Sequence, residues 1–229
     1  MIVWTHRGNP GPENTLEAFE LAWKDGIRHF ETDIHVTKDG TLVLAHDSNI
    51  KRLTGIDQEI INLTFEELNR NPVMGLYRWC SLDALVTRFP EAIVSIDIKN
   101  DASVKPFIAW LRTQDFSNFI VGSFSSKRVN QVRKEFPSLR TALTPKEVHL
   151  IRLGLQRIVN LESADKFAMI PQSMYGLQIL TKRFIASCQR LNIAINVWTV
   201  NSVAESKELE NLGVQGIVTD DYALFKQSS

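Results

Sequence analysis

Glu31 and Asp33 stand two residues apart in a run, His29 to Val36, that reads as a β-strand, so both carboxylates leave the same side of it. In a barrel that side is the interior. Two acids near a strand end repel each other unless a cation lies between them, because burying unpaired carboxylates is costly. Asp97, near the end of the predicted strand from Ile93 to Lys99, offers a third oxygen donor. An all-oxygen cluster of this kind suits Mg²⁺ or Ca²⁺ better than zinc, which favours histidine and thiolate. A structural reading is equally open at this level, with Glu31 and Asp33 paired to Arg7 or Lys99 as buried ions.

His6 and His46 each follow a short apolar run. Imidazole has an unperturbed pKa near ~6.5 and can therefore take or give a proton at neutral pH. A lone histidine is more often a satisfied polar residue of core or surface, and His29, His35 and His149 lack the strand-end setting. His35 continues the alternation of Glu31 and Asp33, which predicts a supporting group on the same interior face. Arg7 carries a planar fork suited to phosphate oxygens, and Lys99 adds a point charge on the strand of Asp97. Neutralising the neighbouring acids is a compatible role for both. Glu13 and Asn14 are expected to orient Arg7 and cap the helix that follows. Trp198, at the end of a strand, would make an apolar wall with Phe124 opposite, although most tryptophans and phenylalanines are simply core.

The elements that must position these groups follow a clear rhythm. An apolar run from Ile2 to Thr5 is followed by a polar loop, and Asn14 or Thr15 then caps a helix through Asp25 whose inward face is Leu16, Phe19 and Ala22. The strand from His29 to Val36, a tight turn at Lys38-Asp39-Gly40 and a short strand from Leu42 to Ala45 lead to His46. Residues 47–80 read as an excursion, within which Thr64 and Glu67 have capping-box spacing. A helix over Ser81 to Phe89 precedes the strand carrying Asp97. Strands are then predicted at Phe119–Ser123, Arg140–Leu143, Phe167–Ile170, Ile193–Thr199 and Gly216–Thr219, with helices near 125–136, 181–191 and 202–212 and one that opens with Thr144 as cap, Pro145 in the first turn and Glu147 at the box position. About eight strands with helices between most of them predict a parallel sheet closed into a (β/α)₈ TIM barrel, whose reactive face lies at the strand C-termini. The competing open Rossmann-type sheet lacks its glycine fingerprint here.

Bulk properties narrow the partners. The 229 residues hold 26 basic and 26 acidic side chains, so no basic field exists to gather nucleic acid. Cys80 and Cys188 can form at most one bridge, too few for a disulfide-framed fold, and are expected to be isolated buried thiols. No segment approaches the ~18 continuous apolar residues of a membrane helix. Together these give a cytoplasmic expectation with no transmembrane segment; oligomeric state is not legible.

The run His6-Arg7-Gly8, then Pro12-Glu13-Asn14-Thr15, Glu31-Thr32-Asp33, Thr37-Lys38-Asp39-Gly40 and His46-Asp47 closely resembles the glycerophosphodiester phosphodiesterase family in order and spacing. Further matches lie at Asp97-Ile98-Lys99, Ser123-Phe124, Val197-Trp198-Thr199 and Gly216-Ile217-Val218-Thr219-Asp220. The resemblance implies one barrel domain over residues 1–229, with the 47–80 insertion after the second strand shaping the substrate entrance. It implies metal-dependent hydrolysis of glycerophosphodiesters to an alcohol and sn-glycerol 3-phosphate, a reaction of lipid and glycerol metabolism. His6 and His46 match the family's general acid/base positions, with His6 preferred as base and His46 as acid. Glu31 and Asp33 match its metal ligands, and Asp97 stands where the family usually has glutamate, one methylene longer. The implied cofactor is one divalent cation, Mg²⁺ or Ca²⁺, with Mn²⁺ as an alternative. Arg7, Lys99, Glu13, Trp198 and Phe124 would contact the small-molecule substrate, with Asn14 and His35 behind them. Two other readings stand beside this one. A lysophospholipase D-like or phosphoinositide-type phosphodiesterase on the same barrel would use apolar residues of the excursion, Ile50, Leu53, Ile56, Ile60, Ile61, Val73, Met74, Leu76, Tyr77 and Trp79, around the mouth. A non-catalytic phosphate-binding barrel is disfavoured by the intact His6, His46, Glu31 and Asp33.

Overall fold

The computed structural model describes residues 1–155, 166–174 and 176–226. Eight parallel strands form its centre: β1 (Ile2–His6), β2 (His29–Val36), β4 (Ile93–Ile98), β5 (Phe119–Gly122), β6 (Arg140–Ala142), β7 (Lys166–Pro171), β10 (Ala194–Trp198) and β11 (Gly216–Thr219). They run in the order β1-β11-β10-β7-β6-β5-β4-β2, and β2 pairs back to β1, so the sheet closes. Closure excludes the open doubly wound sheet. The short strand β3 (Leu42–Leu44) lies outside the barrel as an antiparallel arm on the far end of β2, with Ile34 opposite Leu44.

Helices follow from local signals. α1 (Leu16–Lys24) is capped by Thr15, whose hydroxyl accepts from the Ala18 N–H, and it buries Ala18, Phe19 and Ala22. Within the insertion lie α2 (Lys51–Thr54) and α3 (Phe65–Asn69); α3 has both bonds of the capping box read from Thr64 and Glu67. α4 (Leu82–Arg88) leads into β4. α6 (Ser126–Glu135), α7 (Pro145–Leu153), α8 (Lys182–Arg190) and α9 (Val203–Asn211) lie where the pattern predicts them. Two helices, the short α2 and α5 (Val104–Leu111), are not announced by the sequence pattern. α5 lacks a side-chain cap and carries Pro106 in its first turn, where the missing N–H costs nothing, and Val104, Phe107 and Leu111 bury its inner face. A small antiparallel hairpin of β8 (Ser173–Met174) and β9 (Leu177–Gln178) follows β7 and is likewise unpredicted.

Two large apolar clusters fill the layer between strands and helices, one around Phe19, Phe30 and Phe107 and one around Phe184, Ile195 and Ile217. A third, smaller plug of Trp4, Ile120 and Val218 with Ile93, Phe167, Met169 and Trp198 packed on it fills the barrel itself. The Trp4 Nε1–H donates to Asn196 Oδ1 at 3.0 Å, which satisfies the indole in this dry interior. The insertion has a core of its own, built on Ile50, Ile60, Leu68, Val73 and Trp79. Cys80 and Cys188 are buried free thiols, as expected from their number.

Candidate active site

Register delivers the polar residues to one end of the barrel. His6 closes β1 opposite Glu31, Asp33 lies opposite Asp97, and Trp198 closes β10 opposite Pro171. The chain leaves β1 through a sharp turn in which Arg7 (φ 57) and Gly8 (φ 82) are both left-handed. A Cβ on Gly8 would lie 2.7 Å from the Ala18 Cβ, so the turn rests directly on α1 and only glycine fits there. Arg7 N–H donates to the Glu31 carbonyl at 2.9 Å, and Asn14 N–H donates to the Arg7 carbonyl at 2.7 Å. The loop is thereby folded back over the strand ends. Asn14 is buried in the left-handed region, and its Oδ1 accepts from the Thr32 hydroxyl at 2.8 Å. It ties the loop to β2, while Thr15 is the helix cap.

His6 Nδ1 lies 2.6 Å from Asp220 Oδ1, and its Nε2 lies 3.8 Å from Glu31 Oε2. Asp220 is held in turn by Asn201 Nδ2 at 3.0 Å. An Nδ1–H directed at a carboxylate leaves Nε2 as the free lone pair facing the cup. Burial, with the Arg7 charge beside it, holds His6 below the usual imidazole range despite Asp220. Asp220 lies below the usual carboxylate range: burial opposes this, but bonds from Asn201 and His6 outweigh it.

The acids stand at the centre. Glu31 is pushed well above the ordinary carboxylate range, by burial first and by Asp33 next. Its Oε2, like Asp33 Oδ2, is buried with no hydrogen-bond partner. Arg7 Nε approaches Asp33 Oδ2 to 3.1 Å, but the pair is out of line for a hydrogen bond. Lys99 Nζ sits between the carboxylates of β2 and β4, 2.7 Å from Asp33 Oδ1 and 2.9 Å from Asp97 Oδ2. Burial would depress this ammonium, but Asp97 and Asp33 outweigh it and raise it above its ordinary value. Asp97 is itself raised, chiefly by burial. Among the described residues no three His, Cys, Asp or Glu side chains are grouped tightly enough to hold a metal ion. Asp97 is turned to Lys99 instead. Glu31 and Asp33 are left with one buried oxygen each that has no hydrogen-bond partner.

On the other flank, His46 Nδ1 lies 2.7 Å from Asp47 Oδ1, and the His46 carbonyl accepts from His35 Nε2 at 3.2 Å. Asn100 Nδ2 lies 2.8 Å from His35 Nδ1, which fixes that buried ring from the other side. Glu13 reaches Arg7 Nη1 only at 3.8 Å; its main partner is Arg52, with Nη2 and Nη1 at 2.7 and 2.9 Å. The expectation that Glu13 orients Arg7 is thus secondary to a contact the sequence did not foretell. Phe124 and Trp198 do not face one another across the cup but meet edge to face, with centroids 5.9 Å apart. Phe124 is 58% exposed, and Lys99 Nζ lies 5.7 Å from its ring, so the aromatic pair forms one wall beside the acids.

Ionic contacts run from Asp33 through Arg7, Glu13 and Arg52 to Asp47 and His46, and a second set joins Asp220, His6 and Glu31 beside it. Asp220 and Asp47 stand in the sequence only as members of the family-like motifs, and their pairing with His6 and His46 is a finding of the structure. Arg52 and Asn201 gave no sequence signal.

The pattern that defines the glycerophosphoryl diester phosphodiesterase family matches residues 6–224. A glycerophosphodiester phosphodiesterase of Bacillus altitudinis is 29% identical over 95% of this chain and 94% of its own length. Human lysophospholipase D GDPD1 is 26% identical over 94% of this chain and 82% of its own. The crystal structure of a Thermotoga maritima glycerophosphodiester phosphodiesterase superposes with a TM-score of 0.79 at 25% identity, covering 98% of this chain and 96% of that one. A sequence match over nearly the whole chain and a shared closed barrel place this protein in one family: it belongs to the glycerophosphoryl diester phosphodiesterases.

Proposed function

We propose that the chain hydrolyses glycerophosphodiesters to an alcohol and sn-glycerol 3-phosphate by proton transfer through His6 and His46, with a divalent cation held by Glu31 and Asp33 while Asp97 is committed to Lys99. The observation that carries this is the His6 geometry. Its Nδ1 is committed to Asp220 at 2.6 Å, so Nε2 is the atom presented to the cup beside an unpartnered Glu31 oxygen. His6 is the base that takes the proton from the attacking oxygen. His46, with its Nδ1 on Asp47, presents Nε2 on the opposite flank and protonates the departing alkoxide. Arg7 and Lys99 hold the phosphoryl oxygens as charge grows on them, and the Phe124–Trp198 wall packs on the glycerol carbons.

A raised Glu31 and orphaned oxygens on Glu31 and Asp33 fit a cation, because a carboxylate held toward its neutral form by burial and a like charge is relieved by a positive ion. When bound, Mg²⁺, Ca²⁺ or Mn²⁺ would supply Lewis-acid polarisation of the phosphoryl group. The test is a coupled glycerol 3-phosphate assay over several diesters, with chelator and with each metal restored. Turnover that survives exhaustive chelation removes the cation from the reading, and absence of glycerol 3-phosphate from every diester removes the reaction. The pH–rate profile of the pair is bell-shaped; a flat one between about pH 5 and about pH 9 removes it.

Exposed apolar side chains favour a second substrate class. Most of the insertion's apolar residues build its own core, but Met74 and Leu76 are 68% and 72% exposed, with Ile56 and Ile61 also outside. Comparing glycerophosphocholine with lysophosphatidylcholine separates a glycerodiesterase from a lysophospholipase D. Among the described residues no helix is long and apolar enough to cross a membrane. The cytoplasmic address, and a single domain over 1–229, stand as proposals on the balanced charge and the match over residues 6–224.

A further inference from the structure

Arg52 is the one residue of the insertion that reaches both flanks of the site. Its Nε donates to Asp47 Oδ2 at 2.5 Å, while Nη1 and Nη2 straddle Glu13 at 2.9 and 2.7 Å. The two carboxylates come from different loops, one after β1 and one after β3. Asp47 carries His46 on its other oxygen, at 2.7 Å, and Glu13 stands 3.8 Å from Arg7.

Fold stability does not explain this arrangement. α2, which carries Arg52, contributes no buried side chain, and Arg52 is 48% exposed with Asp47 36% exposed. The Arg52–Asp47 pair in that setting contributes little to stability, since water competes for both charges, and the pair with Glu13, which is 14% exposed, joins two loops rather than elements of the core. Their geometric effect is larger. A half-exposed aspartate turns freely about its Cβ–Cγ bond, and His46 follows whichever oxygen it meets. With Arg52 on Oδ2, Oδ1 stays directed at His46 Nδ1, which fixes the ring with Nδ1–H toward Asp47 and leaves Nε2 as the nitrogen with the lone pair. Only a planar fork can grip a carboxylate with two N–H groups and a second with a third; a lysine ammonium cannot span both.

We infer that Arg52 is a positioning residue: it locks Asp47 and Glu13 together and, through Asp47, sets the tautomer and aim of His46. The inference rests on the reading of His46 as a proton-transfer group.

The test uses the full-length protein with Mg²⁺ and glycerophosphocholine, in Arg52→Gln, Arg52→Lys, Arg52→Ala, Asp47→Asn and the Arg52→Gln/Asp47→Asn double variant. In Arg52→Gln, kcat falls at least about tenfold while KM changes less than about twofold, because aim and not affinity is lost. Arg52→Lys recovers only part of the loss, and added guanidinium restores Arg52→Ala where ammonium does not. The double variant is no slower than Asp47→Asn alone, since both remove one device. Independently of turnover, ¹⁵N-histidine spectra show His46 as the single Nδ1–H tautomer in the parent and as a mixture in Arg52→Gln. An unchanged kcat, losses that multiply in the double variant, a rise in KM alone, or a single tautomer kept in Arg52→Gln each overturns the inference. A parent that cleaves no diester but shows the tautomer change sinks the phosphodiesterase reading and upholds the clamp.

Discussion

His6 and His46 are built alike, each with Nδ1 against an aspartate that directly follows a strand or lies beside it, Asp220 and Asp47. The shared design predicts shared sensitivity: His6→Ala and His46→Ala each lower kcat on the order of 10²-fold or more with glycerophosphocholine. Turnover near the parent value in either variant removes that ring from the chemistry. Glu31→Ala loses stoichiometric binding of the divalent ion by calorimetry; binding that persists moves the ion to other ligands. The reactive types themselves were visible in the sequence, because an E-x-D on a strand and histidines at strand ends are local patterns. Their partners were not, because His6 and Asp220 are separated by 214 positions and Arg52 and Glu13 by 39. Arg52 in particular sits on a four-residue helix that no periodicity announces.

Short elements hold the loops that carry these side chains. Gly8 combines a left-handed φ with a seat against Ala18, so Gly8→Ala forces both backbone strain and a clash. It lowers the melting temperature and kcat together; a variant that matches the parent in both contradicts the packing described. At α7, Glu147 serves two purposes at once. It completes the capping box with Thr144, and it takes Arg133 in a bidentate pair at 2.7 and 3.1 Å with both side chains only 12% exposed. Glu147→Ala removes the side-chain half of the capping box and strands a mostly buried guanidinium, a loss of about 3 kcal/mol or more by urea unfolding. The boxes at Thr64 and Thr144 were readable because Thr-x-x-Glu is a local code for a helix start. α5 was not, because its first turn is Ser-Val-Lys-Pro without a side-chain cap, and only contact with the barrel stabilises it.

At the scale of the molecule, closure of the barrel places every strand C-terminus on one rim and the small plug of Trp4, Ile120 and Val218 beneath it. His29 lies at the opposite end, its ring edge-on to Trp4 at 4.8 Å. Burial, with some repulsion from Arg140, holds it below its ordinary value of 6.5. The unfolded chain takes up this proton first as pH falls, so stability is full above about pH 6.5 and declines as pH drops toward the folded pKa. His6 and His35 are lowered in the same direction. His29→Gln therefore reduces, without abolishing, the loss of urea midpoint between about pH 7 and about pH 5. A variant with the parent's full slope excludes His29 from the linkage.

The alternation of strand and helix, the caps and the reactive side chains were set by the sequence alone, since each depends on neighbours a few residues away. The tertiary structure decided which of those groups meet: that Lys99 lies between Asp33 and Asp97, that Phe124 stands beside Trp198 rather than across from it, and that one arginine of the insertion ties two loops together. Those outcomes depend on strand register and closure. Both are fixed by contacts between residues far apart in the chain, for which a one-dimensional pattern carries no distance.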